Sequence, residues 1–153
     1  IFYNSSEVNS EVQADQAKQA LEAKGVKVEV ATVTSTNDVQ QTMTSLAAKV
    51  DAIYLPTDNT VASTASTIGE ILQEAKVPAM GSDAAVIDAT LFTYGVDYHA
   101  IGVQAGELAV KILKGDKPAD LPVEKPNTAA VTVNEEMATA LGFDAETIKA
   151  LEK

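Results

Sequence analysis

Short apolar runs alternate with helical patterns along almost the whole chain, one pair about every 25 residues, and few architectures accept that alternation. Residues 1–3 are apolar and strand-like, and Asn9 or Ser10 is placed to cap a helix running to about residue 24, with Ala14, Ala17 and Leu21 on one face and Gly25 as its stop. Residues 26–33 are β-branched and half alternating, which predicts a strand. Val39, Met43, Leu46, Ala47 and Val50 then follow at intervals of four, three, one and three, an amphipathic helical period. The continuous apolarity of residues 52–55 predicts a strand buried on both faces, as in a parallel sheet. Val61, Ala65, Ile68, Leu72 and Ala75 mark the next helix; residues 77–80 the next strand, with Pro78 near its start; residues 84–89 a short helix; and residues 91–96 a fifth strand. Ile101, Ala105, Leu108, Ala109 and Ile112 predict a helix ending at Gly115. Residues 116–127 hold Pro118, Pro122 and Pro126 and read as an extended connector. A last strand at 129–133 precedes two short helices at 135–141 and 145–151, with Asn134 and Asp144 as caps. The expected fold class is α/β, a mostly parallel doubly wound sheet with helices on both faces.

A chain of 153 residues is long enough to bury a substantial core. Its net charge of -11 comes with Lys as the only strongly basic residue type and no Arg, which argues against nucleic acid and against an anionic membrane surface. No Cys is present, so thiol nucleophiles and zinc–thiolate sites drop out. No apolar run is long enough to span a bilayer. The abrupt start at Ile1, Phe2 and Tyr3, already inside a strand, predicts a piece of a longer protein.

In a parallel sheet the turns after successive strands share one carboxyl rim, the usual place for ligands. Asn4, Ser5 and Ser6 follow the first strand; Thr57, Asp58 and Asn59 the third; Ser82 and Asp83 the fourth; Asp97 and Tyr98 the fifth. Thr, Asp and Asn are also favoured helix caps, so each cluster alone has a structural explanation. Together they predict a site for a small polar ligand. Helix N-termini at the rim offer N–H groups to a carboxylate, and Asp58 or Asp83 suits an ammonium, a pairing that fits a zwitterion such as an amino acid. Tyr54 and Tyr94 lie within apolar strands and are expected in the core, whereas Tyr98 sits at the rim. Catalysis finds less support. The only His, His99, is expected as a surface or capping residue; there is no nucleophile elbow and no glycine-rich phosphate loop. Asp51, Asp58, Asp83, Asp88 and Asp97 supply carboxylates enough for a magnesium site, but Asp58 and Asp83 already have cap or ligand roles. No cofactor is expected.

Residues 50–61, VDAIYLPTDNTV, resemble the signature of the tryptophan-type ABC transporter substrate-binding proteins, and residues 3–10, YNSSEVNS, are similar to that family's opening of its second lobe. Ser82-Asp83, Gly95-Val96-Asp97-Tyr98 and the segment from Ile112 to Asp120 match in order and spacing, while Ser5 stands where the family often has Pro. The resemblance implies one C-terminal lobe of a two-lobed, type I periplasmic-binding-protein fold, formed by residues 1–97 and 128–153, without catalytic activity. It implies that the helix at 98–115 belongs to the absent N-terminal lobe, that 116–127 is the returning connector, and that Asn4, Ser5, Ser6, Thr57, Asp58, Asn59, Ser82 and Asp83 line the cleft, with Asp97 and Tyr98 at a hinge crossing. It further implies an extracytoplasmic protein, a cell-surface lipoprotein or periplasmic, that hands an amino-acid-like ligand to a membrane ABC permease. The alternative on the same fold is the effector-binding lobe of a transcription regulator; an α/β enzyme or receiver domain is a third reading. A helix deprived of its sheet also predicts a homodimer or swapped assembly of the fragment.

Overall fold

The computed structural model describes residues 1–126 and 128–152. Asn127, at the end of the expected connector, and Lys153, at the end of the expected lobe, lie outside the described residues. Among the described residues six strands form: β1 (Phe2–Asn4), β2 (Ala31–Val33), β3 (Ile53–Leu55), β4 (Ala79–Gly81), β5 (Phe92–Val96) and β6 (Ala129–Val133). In the same described residues seven α-helices separate or follow them: α1 (Val8–Glu22), α2 (Val39–Ala47), α3 (Asn59–Ser63), α4 (Ala65–Ala75), α5 (Tyr98–Leu113), α6 (Glu135–Leu141) and α7 (Ala145–Lys149). β1 pairs in parallel with β2, and β3–β4–β5 form a parallel ladder to which β6 adds antiparallel. The fold is thus α/β with a mostly parallel sheet, as the alternation predicts.

The strand pleat distributes side chains between two cores. Phe2 of β1 and Ile53 and Leu55 of β3 enter the main core with Val39, Met43 and Leu46 of α2 and Ile68 and Leu72 of α4. Their neighbours Ile1, Tyr3 and Tyr54 point the other way, to a smaller core with Ala14 of α1. Each large apolar side chain withdrawn in this way contributes about 1.5–3 kcal/mol. Leu91, Ala138 and Ile148 form a third cluster where α6 and α7 pack on the β5–β6 pair.

Several boundaries depart from expectation. The strand expected over residues 26–33 survives only as Ala31–Val33, because its partner β1 offers a three-residue ladder and Lys27 and Glu29 interrupt the apolar pattern. The helix expected from Val61 begins two residues earlier and breaks at Thr64, whose hydroxyl turns back onto the carbonyls of Thr60 and Val61. α1 begins at Val8, so Asn9 and Ser10 lie inside its first turn and do not cap it. Tyr94, expected in the core, is 49% exposed because the pleat turns it to the face opposite buried Thr93. α5 buries no residue: Leu113 is 86% exposed, and Val103 and Val110 are open as well. Its polar stripe is occupied by the connector, where Gln104 donates to Glu124 (2.8 Å) and to the Lys125 carbonyl (3.2 Å), and Lys111 pairs with Glu124 at 3.6 Å.

Candidate functional site

The four polar turns come together at the carboxyl ends of β1, β3, β4 and β5, and hydrogen bonds tie each to the next. The backbone N–H of Asn4 donates to Asp58 Oδ2 at 2.7 Å, and the Asn4 side-chain amide donates to Thr60 Oγ1 at 2.7 Å, joining the first turn to the second. Thr57 Oγ1 lies 3.3 Å from Ser82 Oγ, joining the second to the third. The Tyr98 hydroxyl donates to Asp83 Oδ2 at 2.7 Å, joining the third to the start of α5.

The predicted residues divide by what they have left to offer. Asp58 is 3% exposed, and its second oxygen accepts Val61 N–H at 2.9 Å, so both oxygens hold backbone donors. Asn4 is buried, with its Oδ1 accepting Ser6 N–H at 2.8 Å. Asp97 caps α5 by accepting His99 and Ala100 N–H. Asn59 is exposed and bound to Glu7. Ser5 and Ser6 are exposed, Thr57 and Ser82 half-buried. Asp83 is 7% exposed; one oxygen accepts Ala85 N–H at 2.9 Å and the other the Tyr98 hydroxyl. That hydrogen bond, with burial and the carboxylate charge, holds the Tyr98 phenol above its ordinary range. His99 is exposed, consistent with a surface position.

The free N–H groups expected at the start of α3 are taken within the chain. Glu7 accepts Asn59 N–H (3.0 Å) and Thr60 N–H (3.2 Å) together with the Asn59 amide and the Thr60 hydroxyl. Partial burial raises the Glu7 carboxyl, but these four hydrogen bonds outweigh it and leave it below its ordinary value. Sequence reasoning missed Glu7, and it missed Gln13, whose Oε1 accepts Thr57 N–H at 2.9 Å and the Ser82 hydroxyl at 3.1 Å. Ser10 and Asn9 both donate to the Thr57 carbonyl at 2.9 Å. A signal existed: Ser10 and Gln13 share the helical face of Ala14 and Ala17, which packs inward, and polar residues on such a face need internal partners. Gly95 is a further positioning residue, since a methyl there would lie 2.6 Å from the Ser82 carbonyl oxygen and 3.1 Å from its carbon.

A concavity of about 570 Å³ runs along β2 and α2, and none of the predicted rim residues lines it. Asp97 and Tyr98 border a smaller one of about 290 Å³ with Thr93, His99 and Thr132. The rim itself is a polar wall of hydroxyls around the buried Asp83 carboxylate, suited to recognition by hydrogen bonds.

Known proteins resemble this chain over nearly its whole length. The tyrosine-binding protein of Clostridioides difficile (strain R20291) is 32% identical over 142 residues, which is 92% of this chain and 41% of that protein. The ABC domain of a Streptococcus pneumonia protein, solved in complex with L-Trp, is 38% identical, with a TM-score of 0.84 over 99% of this chain and 52% of that one. A substrate-binding protein with adhesive properties from Clostridium difficile, solved ligand-free and open, is also 38% identical, with a TM-score of 0.77 over 94% of this chain and 49% of its own. This chain therefore spans about half the length of the proteins it matches. The family model of the ABC transporter substrate binding proteins covers residues 1–149, and the chain belongs to that family, one of binding proteins and not of enzymes.

Proposed function

We propose that this chain is one lobe of an ABC importer receptor that holds an amino acid, of the aromatic kind, in a cleft between its rim and a second lobe, and delivers it to a membrane permease. The observation that carries the reading is the joining of four rim turns into one polar wall, in a family whose members include a tyrosine-binding protein and a domain that holds L-Trp. Ser5, Ser6, Thr57, Ser82, Asp83 and Tyr98 are the residues we assign to ligand contact from this side. Asn4, Asp58, Asn59 and Asp97 hold the turns in place. The Asp83 carboxylate suits the ligand ammonium: each oxygen keeps a lone-pair site beside the donor it already accepts, and a charge-assisted hydrogen bond there is stronger than a neutral one.

In this reading residues 1–97 and 128–153 form the lobe, and α5 with the 116–127 connector packs against the second lobe. The apolar surface that α5 leaves open supports that division: Val103, Val110, Ile112 and Leu113 are exposed on it, and a helix is stable in water chiefly when its apolar surface is covered. Delivery to a permease places the receptor outside the cytoplasm, free in the periplasm or tethered as a lipoprotein. Isothermal titration of the full-length protein with L-Trp and L-Tyr tests the assignment; binding of neither sinks it.

A further inference from the structure

Resting on the amino-acid reading above, we infer that Gln13 is a positioning residue that orders the Thr57–Ser82 hydroxyl pair so that Thr57 presents only acceptor capacity to the ligand. The argument is a count of protons. Thr57 N–H can meet only an acceptor, so its 2.9 Å contact fixes the Gln13 amide with Oε1 toward the rim. Ser82 Oγ lies 3.1 Å from that same oxygen, which has no proton to give, so Ser82 donates. The competing acceptor, the Leu55 carbonyl, is farther at 3.4 Å and already takes Ser82 N–H at 3.0 Å. A hydroxyl carries one proton, and that of Ser82 is now committed. In the 3.3 Å contact between Thr57 and Ser82, Thr57 must therefore be the donor. The order runs from Thr57 through Ser82 to Gln13, and what Thr57 Oγ1 retains is lone-pair capacity.

A hydroxyl in that state accepts from an N–H donor and has no proton for a carboxylate. With the Asp83 carboxylate next to Ser82 on the adjoining turn, it makes this part of the rim selective for the ammonium end of the ligand. Gln13 acts one residue removed, through Ser82, and without it the Ser82 proton is free to turn to Thr57, whose own proton then faces the ligand.

The test uses the full-length protein and isothermal titration with L-Trp and its desamino analogue indole-3-propionate. The wild type is expected to prefer L-Trp. Gln13→Leu, close in size but with no acceptor, is expected to reduce that preference roughly tenfold, the worth of about one hydrogen bond to a charged group. Gln13→Glu keeps both acceptor contacts and is expected to keep the preference. Should Gln13→Leu fold poorly, Ser82→Ala breaks the same chain at its middle and is expected to reduce the preference as well. A wild type that binds L-Trp without preferring it, equal losses for both ligands in Gln13→Leu, or loss of preference in Gln13→Glu overturns the inference while leaving the amino-acid assignment standing. A wild type that binds neither L-Trp nor L-Tyr removes the assignment, and the inference falls with it.

Discussion

Asp58 is the residue whose removal tests the physical account of the rim most directly. Its two oxygens accept the N–H groups of Asn4 and Val61 at 2.7 and 2.9 Å, and the side chain is almost wholly buried. Asp58→Ala leaves both donors without a partner in a place water hardly reaches, at about 1–3 kcal/mol for each unsatisfied donor. The Val61 contact is also the N-cap of α3, and cap losses of about 1 kcal/mol fall within that range and are not added to it. The expected loss is about 2–6 kcal/mol. For a chain of this size that lowers Tm by roughly 4–24 °C. Asp58→Asn distinguishes geometry from bulk, because its amide supplies one acceptor and turns an NH2 donor toward the second N–H. It is expected to lose about half as much as alanine or more, despite near-identical shape. The assay is thermal and urea denaturation of the three proteins, alongside titration of the full-length receptor with L-Trp well below each Tm. Affinity should hold within a few-fold, since neither Asp58 oxygen is free for ligand. Stability of Asp58→Ala within about 0.5 kcal/mol of wild type would refute the assignment of the carboxylate as the clamp between the first two turns.

Two further outcomes follow from the same geometry. Glu7 has a folded-state pKa below its unfolded value of 4.5, so its contribution to stability is complete above that value and is lost as pH falls through the lower folded one. Glu7→Gln should therefore lower Tm at pH 7, by a solvent-screened amount, and approach the wild type as pH falls below about 4.5, so that its acid limb is the flatter of the two; parallel acid limbs count against Glu7 as the cap of α3. Gly95→Ala drives a methyl into the backbone of Ser82, which cannot yield as a side-chain tip can, so about 1–3 kcal/mol of stability and a measurable share of L-Trp affinity should go together; retention of both in denaturation and titration shows that the turn has room.

The fold was legible because its signals were redundant. Val39, Met43, Leu46 and Ala47 share a helical face in the sequence, and all four are buried. The rim turns were legible as well, because strand ends in a parallel sheet are gathered by topology alone. Which side chains in those turns stay free was not legible, since that depends on partners far along the chain. Asp58 finds its partner 54 residues away, Gln13 reaches a serine 69 residues on, and Glu7 caps a helix 52 residues later. A pattern within one window carries no trace of such pairs. The break at Thr64 and the loss of residues 26–30 from β2 have the same origin: local propensity favours one element, and a hydroxyl or a short partner strand decides otherwise.

The division of labour among the rim residues bears on affinity. A binding wall made of four independent loops would have to be ordered by the ligand, at about 0.5–1.5 kcal/mol for each side chain immobilised. Here Asn4, Asp58, Glu7 and Gln13 fix the turns before any ligand arrives, through contacts of 2.7–3.2 Å that lie inside the wall. The polar atoms left over are few, and their directions are already set. For a small zwitterion, whose own hydrogen-bonding groups are strongly hydrated, that prior order decides whether exchanging water for protein is favourable at all. In the proposed reading most of these polar residues stiffen the wall, and the stiffness is what lets the few that face the ligand discriminate.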